Sequence, residues 1–172
     1  KLKQQKQNGI FEPVLKNKSM AMIFLKNSTR TRLSCELAMF ELGGHGVYLN
    51  SNDTQMSRGE SLRDSAKVIS SMADFILIRT YKQSDIEQLA KYSTVPVINA
   101  LSDTYHPTQL IADLLTIKEV FGNFDDLKIT YIGDGNNMAH SYLMLCGVMG
   151  FNLTVVTPKG YEVDSDVLKI AK

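Results

Sequence analysis

The sequence predicts an α/β fold, a parallel sheet flanked by helices with the beginning of a second α/β domain after it. Three observations carry that prediction. Short apolar runs of strand length alternate with helical patterns along the whole chain. Those runs are too short to cross a membrane as helices. Polar and charged residues follow several strands, where open α/β sheets bind their ligands. Candidate strands are 20–25, 47–49, 75–79, 96–99, 128–132 and 153–157, with helical patterns at 29–42, 58–72, 84–92, 107–121 and 137–149.

Element boundaries have identifiable causes. Gly43-Gly44 closes the first helix, since glycine takes the φ > 0 that a helix end uses. Ser57-Arg58-Gly59-Glu60 has capping-box spacing and is expected to open the second. Pro107 suits the first turn of the helix at 107–121, whose stripe is Leu110, Leu114, Ile117 and Phe121. Gly122-Asn123-Phe124-Asp125-Asp126 breaks that pattern, so a domain boundary is expected at 122, with residues 1–122 as one domain and 123–172 opening another. Residues 1–8 read as a helix already under way, and 163–172 starts a new one capped by Asp164 or Ser165. The expectation is a segment of a longer chain.

Composition excludes several classes. The chain has 172 residues, 44% hydrophobic and 22% charged, which is ordinary for a packed globular protein. A net charge of +1 gives no reason to expect nucleic acid or an anionic membrane as partner. The first eighteen residues carry five Lys and one Glu (+4), leaving −3 for the remainder, and read as a solvated basic face. Cys35 and Cys146 lie in separate helical patterns and read as reduced, buried thiols of a cytoplasmic protein. His45, His106 and His140 form no ligand pair, so no metal site is expected; no cofactor is expected either.

Chemistry concentrates at a few positions. Ser28-Thr29-Arg30-Thr31-Arg32 follows an apolar run and opens an amphipathic helix. With Ser28 as N-cap, the first turn offers unpaired N–H groups, the positive end of the helix dipole, hydroxyls and the fork of Arg30. That set suits a phosphate dianion, although alone it also fits an ordinary capped helix with surface arginines. Arg32 has Glu36 one turn on as an ion-pair partner. Arg79 ends the apolar run Phe75-Ile76-Leu77-Ile78, where a charge must reach the rim or meet an anion. His106-Pro107-Thr108-Gln109 puts an imidazole and an amide three residues apart, a spacing that suits a carbonyl oxygen and its neighbouring nitrogen. Ser28, Arg79 and His106 each stand at or after the end of a strand, and are expected at one rim. Gly133-Asp134-Gly135-Asn136-Asn137-Met138 invites a dinucleotide-binding reading, but Met138 replaces the third glycine and no acidic residue ends the next strand. A glycine turn with asparagines reaching into a cleft fits better.

These stretches together resemble the aspartate/ornithine carbamoyltransferase family over essentially the whole chain. Its Ser-Thr-Arg-Thr-Arg signature stands at Ser28 to Arg32 and its His-Pro-Thr-Gln at His106 to Gln109. Gln55-Met56-Ser57-Arg58-Gly59-Glu60-Ser61 and Asn136-Asn137-Met138 are similar to the ornithine branch, whereas the aspartate branch carries a serine and a lysine on the first of these loops. The resemblance implies carbamoyl transfer from carbamoyl phosphate to the δ-amine of ornithine, giving citrulline and phosphate. It implies that residues 1–122 form the carbamoyl-phosphate domain and that 123–172 open the ornithine domain. Ser28, Thr29, Arg30 and Thr31 would hold the phosphate, and Arg79 would bridge phosphate and carbonyl oxygen. Thr31 and His106 would share that oxygen, Gln109 would take the carbamoyl nitrogen and Asn137 the amino-acid head group. Thr31, Arg79 and His106 are thereby the catalytic candidates. Gln55 would reach a neighbouring subunit's phosphate site, which implies a homotrimer.

The family's Ser-Met-Gly and His-Cys-Leu-Pro loops do not occur in residues 1–172 and are expected beyond Lys172. Putrescine and N-acylated ornithine therefore stay open as acceptors. A non-catalytic phosphate-binding module and a nicotinamide-dependent oxidoreductase using Gly133–Asn137 are the rival classes.

Overall fold

The computed structural model describes residues 1–50 and 54–171, the Ser57 side chain apart, and divides into two compact units, Lys1–Ala100 and Leu101–Lys172.

The first unit is built on β1 (Ser19–Phe24), β2 (His45–Asn50), β3 (Phe75–Arg79) and β4 (Val97–Leu101), in the order β2-β1-β3-β4. β1 pairs parallel with both β2 and β3. Being central, β1 is buried on both faces, so its apolar residues run continuously instead of alternating with polar ones. The period of two still sorts them. Ala21 and Ile23 join Ile76 and Ile78 on one face, covered by Ala66 of α3 (Leu62–Ser70) and by Ile86 and Leu89 of α4 (Gln83–Tyr92). Met20, Met22 and Phe24 join Leu77 on the other, covered by Met39 of α2 (Arg30–Glu41). Ile23, Ile76 and Ile78 are fully buried, and truncating any one to Ala is expected to cost ~2–5 kcal/mol. A short helix α1 (Leu2–Gln7) precedes the sheet and has no buried residue, in keeping with the basic, solvated face read from its sequence.

The capping box expected at Ser57–Glu60 is not what opens α3, and the Ser57 side chain lies outside the described residues. Residues Gln55–Arg58 form a 3-10 turn closed by Gly59 at φ 93, a left-handed conformation that ends the turn. The helix starts afresh at Leu62. Ser61 Oγ accepts from Asp64 N (3.1 Å) and donates to the Asp64 carboxylate (2.7 Å), so the cap lies four residues later.

The second unit contains α5 (Pro107–Phe121), β5 (Lys128–Ile132), α6 (Asn137–Met149), β6 (Asn152–Val156) and α7 (Ser165–Ala171). β5 and β6 pair parallel with α6 as their crossover, one βαβ unit. Along α5, Leu110 is buried, Leu114 and Ile117 are half-buried and Phe121 is exposed. Asp164 caps α7, its Oδ1 accepting from Asp166 N (2.7 Å) and Val167 N (3.3 Å). The described residues include no helix long and apolar enough to cross a membrane.

Candidate active site

The strand order fixes where the first unit can bind a ligand. The chain leaves β1 for β2 on one side and returns to β3 on the other, so the order reverses between β1 and β3. Crevices at the carboxyl ends of such strands are where doubly wound sheets bind. Phe24 and Arg79, the last residues of those two strands, are register partners. Both predicted phosphate-turn residues and Arg79 therefore belong to this one end of the sheet.

The turn has the capping chemistry expected of it. Ser28 Oγ accepts from Thr31 N at 3.2 Å, the bond of an N-cap serine to the third helical residue. Helical geometry begins at Thr29, whose backbone is already α-helical and whose C=O accepts from Leu33 N. Thr29 and Arg30 are exposed, and Ser28 and Thr31 are half-buried. Arg32 pairs with Glu36 (3.3 Å) and lies 3.5 Å over the Tyr48 ring, which is the structural role its spacing predicted.

Arg79 is half-buried, and its Nη1 donates to Thr31 Oγ1 at 3.4 Å. Its Nε is buried and has no hydrogen-bond partner among the described residues. Burial, and then the nearby Arg30 charge, lowers the pKa of its guanidinium. Like charges held close with an unused donor make an arrangement that an anion would relieve. Gln55 opens the 3-10 turn with an exposed side chain. Cys35, further along α2, is a half-buried free thiol whose pKa burial raises, so it lacks the depressed pKa of a nucleophile.

The second unit carries the other predicted residues, and here the side chains hold one another. His106 is the N-cap of α5, with Pro107 at the first helical position. Its backbone N–H donates to Ser141 Oγ (2.7 Å), and that hydroxyl donates to the Asn137 carbonyl (2.6 Å). Asn137 Nδ2 donates to the Ser102 carbonyl (2.9 Å). The Thr108 hydroxyl lies 3.2 Å from His106 Nδ1. If it donates there, the neutral ring carries its proton on Nε2 and can donate to a carbonyl oxygen. Gln109 Nε2 donates to Asp113 Oδ1 at 2.9 Å.

The glycine turn after β5 is filled by the protein itself. Gly135 N donates to the Tyr161 carbonyl (2.7 Å), and a Cβ on Gly135 would lie 2.3 Å from the Glu162 carbonyl oxygen. Only glycine tolerates that approach, and the crossing backbone occupies the space a pyrophosphate would need. Asn136 does not extend into a cleft, as its sequence context had suggested. It caps α6, its Oδ1 accepting from Met138 N (2.8 Å) and Ala139 N (3.4 Å).

Residues 1–119 match the family model described as the aspartate/ornithine carbamoyltransferase carbamoyl-P binding domain. The chain belongs to the aspartate/ornithine carbamoyltransferase family. Residues 125–172 match the family's Asp/Orn binding domain. The chain is 52% identical, over 172 residues, to the ornithine carbamoyltransferases of Campylobacter hominis and Caldicellulosiruptor saccharolyticus, covering all of itself and 55% and 56% of theirs. It also superposes on the solved structure of the Pyrococcus furiosus ornithine carbamoyltransferase with a TM-score of 0.93 and 49% identity, over 99% of this chain and 54% of that one. It thus spans about half the length of the curated relatives it matches.

Ser141, Asp113 and Tyr142 were not singled out by the sequence reading. A signal existed for two of them, since Ser141 lies four residues after Asn137 and Asp113 four after Gln109. Tyr142 had none. Its partner is on another helix, with the Tyr142 hydroxyl donating to Asp113 Oδ2 at 2.8 Å.

Proposed function

We propose that the intact protein transfers the carbamoyl group of carbamoyl phosphate to the δ-amine of L-ornithine, giving L-citrulline and phosphate. The observation that carries this reading is the anion turn at the β1/β3 switch point, with Arg30 beside a half-buried Arg79 that also bonds Thr31. Ser28, Thr29, Arg30 and Thr31 take the phosphate oxygens, and Arg79 spans phosphate and carbonyl oxygen. Thr31, Arg79 and His106 donate to that oxygen, Gln109 accepts from the carbamoyl NH2, and Asn137 meets the amino acid. The change from the carbamoyl-phosphate domain to the ornithine domain is proposed near residue 122, in keeping with the gap between the two family-model matches.

The neutral δ-amine attacks the carbamoyl carbon and forms the C–N bond. The carbonyl oxygen becomes an oxyanion; as its electron pair re-forms C=O, the bond from the carbamoyl carbon to the oxygen bridging phosphorus breaks. Phosphate leaves with the electron pair, and the amine loses its proton. Donors positioned for the oxyanion are commonly the largest catalytic contribution, each worth ~10²–10³ in rate. Holding both reactants in attack geometry supplies much of the remainder. The assembly is a homotrimer in which Gln55 serves a neighbouring subunit, and the setting is arginine metabolism in the cytoplasm. The relatives named ornithine carbamoyltransferase support the acceptor.

The test is product formation by the intact protein from carbamoyl phosphate with ornithine, putrescine or N-acetylornithine as acceptor. Citrulline formation preferred over both alternatives is expected. Preference for either other amine overturns the acceptor. Binding of carbamoyl phosphate without turnover of any amine overturns catalysis, leaving a phosphate-binding module.

A further inference from the structure

Asp113 holds the amide of Gln109 in one orientation. Gln109 Nε2 donates to Asp113 Oδ1 (2.9 Å), and Tyr142, on α6, donates its hydroxyl to Asp113 Oδ2 (2.8 Å). An ionised carboxylate only accepts, so Gln109 can meet it only through its NH2 end. A flipped amide would set two acceptors against each other. Burial, reinforced by Asp113, pushes the Tyr142 pKa up to about 12, so the phenol remains a donor throughout the neutral range. Among the described residues nothing bonds Gln109 Oε1, and that carbonyl is the end left for a ligand.

We propose that Asp113 and Tyr142 are positioning residues that present the Gln109 carbonyl, selecting the amino group of carbamoyl phosphate over the methyl group of acetyl phosphate. This rests on the reading above, in which Gln109 meets the carbamoyl nitrogen. The two acyl phosphates are nearly the same size and differ in that NH2 donates and CH3 does not. A fixed acceptor discriminates between them, whereas an amide free to turn would set NH2 against NH2 for part of the time.

The experiment measures KM for carbamoyl phosphate and the competitive Ki for acetyl phosphate on the intact enzyme, and reads their ratio. Asp113→Ala is expected to lower Ki/KM about tenfold, in line with one lost hydrogen bond. Tyr142→Phe should lower it about two- to threefold, by loosening Asp113 alone. Asp113→Asn can turn its own NH2 toward Gln109 and so no longer selects one end of that amide; it should lower the ratio as well, and an unchanged ratio there counts against the proposal. A merely structural role would depress kcat or melting temperature and leave the ratio alone. Gln109→Ala tests the underlying reading: an unchanged ratio there removes Gln109 from the carbamoyl group. A ratio that falls in Gln109→Ala but not in Asp113→Ala overturns this proposal only. Where Asp113→Ala does not fold, Tyr142→Phe decides: a lowered ratio supports the proposal and an unchanged one overturns it.

Discussion

In the first unit, Arg79 keeps a buried Nε without a partner among the described residues, and the Arg30 charge is near enough to lower its guanidinium pKa. In the second, the His106 N–H, the Asn137 amide and the Gln109 amide are each bonded to the unit itself. The difference separates two jobs. Unsatisfied positive charge stores a preference for an anion, at a cost in stability until the anion arrives. Groups already bonded within the unit store no such preference; they hold orientation, which on the proposed function matters because an uncharged carbonyl and amide must be met at fixed angles. On the proposed function, the first region serves affinity and the second geometry.

The largest effect expected from breaking this contrast is at Arg79. Arg79→Ala should cut citrulline formation roughly 10²–10³-fold, as loss of an oxyanion donor does, and should weaken binding of inorganic phosphate as well. Turnover and phosphate affinity that both stay normal would remove Arg79 from the affinity side. Ser141→Ala should act on geometry alone. It deletes the acceptor for the His106 N–H, and kcat should fall about tenfold with phosphate affinity unchanged, as a lost buried hydrogen bond of ~1 kcal/mol or more implies. A Ser141→Ala enzyme that loses phosphate affinity but keeps kcat would invert the division proposed.

Ser28→Ala sharpens the comparison by touching both properties. Loss of its bond to Thr31 N should cost about 1 kcal/mol of stability, measured in urea, and bound phosphate should recover little of it because the hydroxyl is also one of the proposed ligands. The smallest effect is a pH dependence away from either region. Asp74 accepts from Lys18 Nζ and Ser19 N, and these bonds hold its carboxyl at about 2, below the ordinary 3.8. A depressed carboxylate contributes stability that is present above its unfolded pKa and lost as pH falls through the folded one. Acid titration should therefore show that contribution disappearing between about 3.8 and about 2, and Asp74→Asn should abolish that part of the slope.

Much of the fold was legible because the periodicities are clean. The strands Phe75–Arg79 and Lys128–Ile132 and the helices Pro107–Phe121 and Asn137–Met149 have the bounds read from the sequence. β2 was read too short, because its start, His45-Gly46, is polar and small where an apolar pattern was sought. The start of α3 was placed early because Ser57…Glu60 and Ser61…Asp64 are equivalent as spacing. Gly59 in a left-handed conformation decided between them, and Glu60 instead accepts from the Ser65 hydroxyl. Residues whose proposed roles follow from residue type and position in a turn (Ser28, Arg30, His106, Gln109) are the ones a sequence can nominate. Tyr142 could not be nominated, since what it does depends on which helix lies against it, whereas Ser141 and Asp113 were marked only by a four-residue spacing to Asn137 and Gln109.

The sequence by itself determined the order of strands and helices, the phosphate-type turn at Ser28–Arg32 and the chemistry available at His106 and Gln109, because these rest on local propensity and residue type. Only tertiary structure decided that the strand order reverses beside Arg79, that Gly135 serves the chain's own backbone and not a nucleotide, and which end of the Gln109 amide is presented. Each of these is a contact between residues distant along the chain or on different turns, and such contacts exist only after packing has chosen the neighbours.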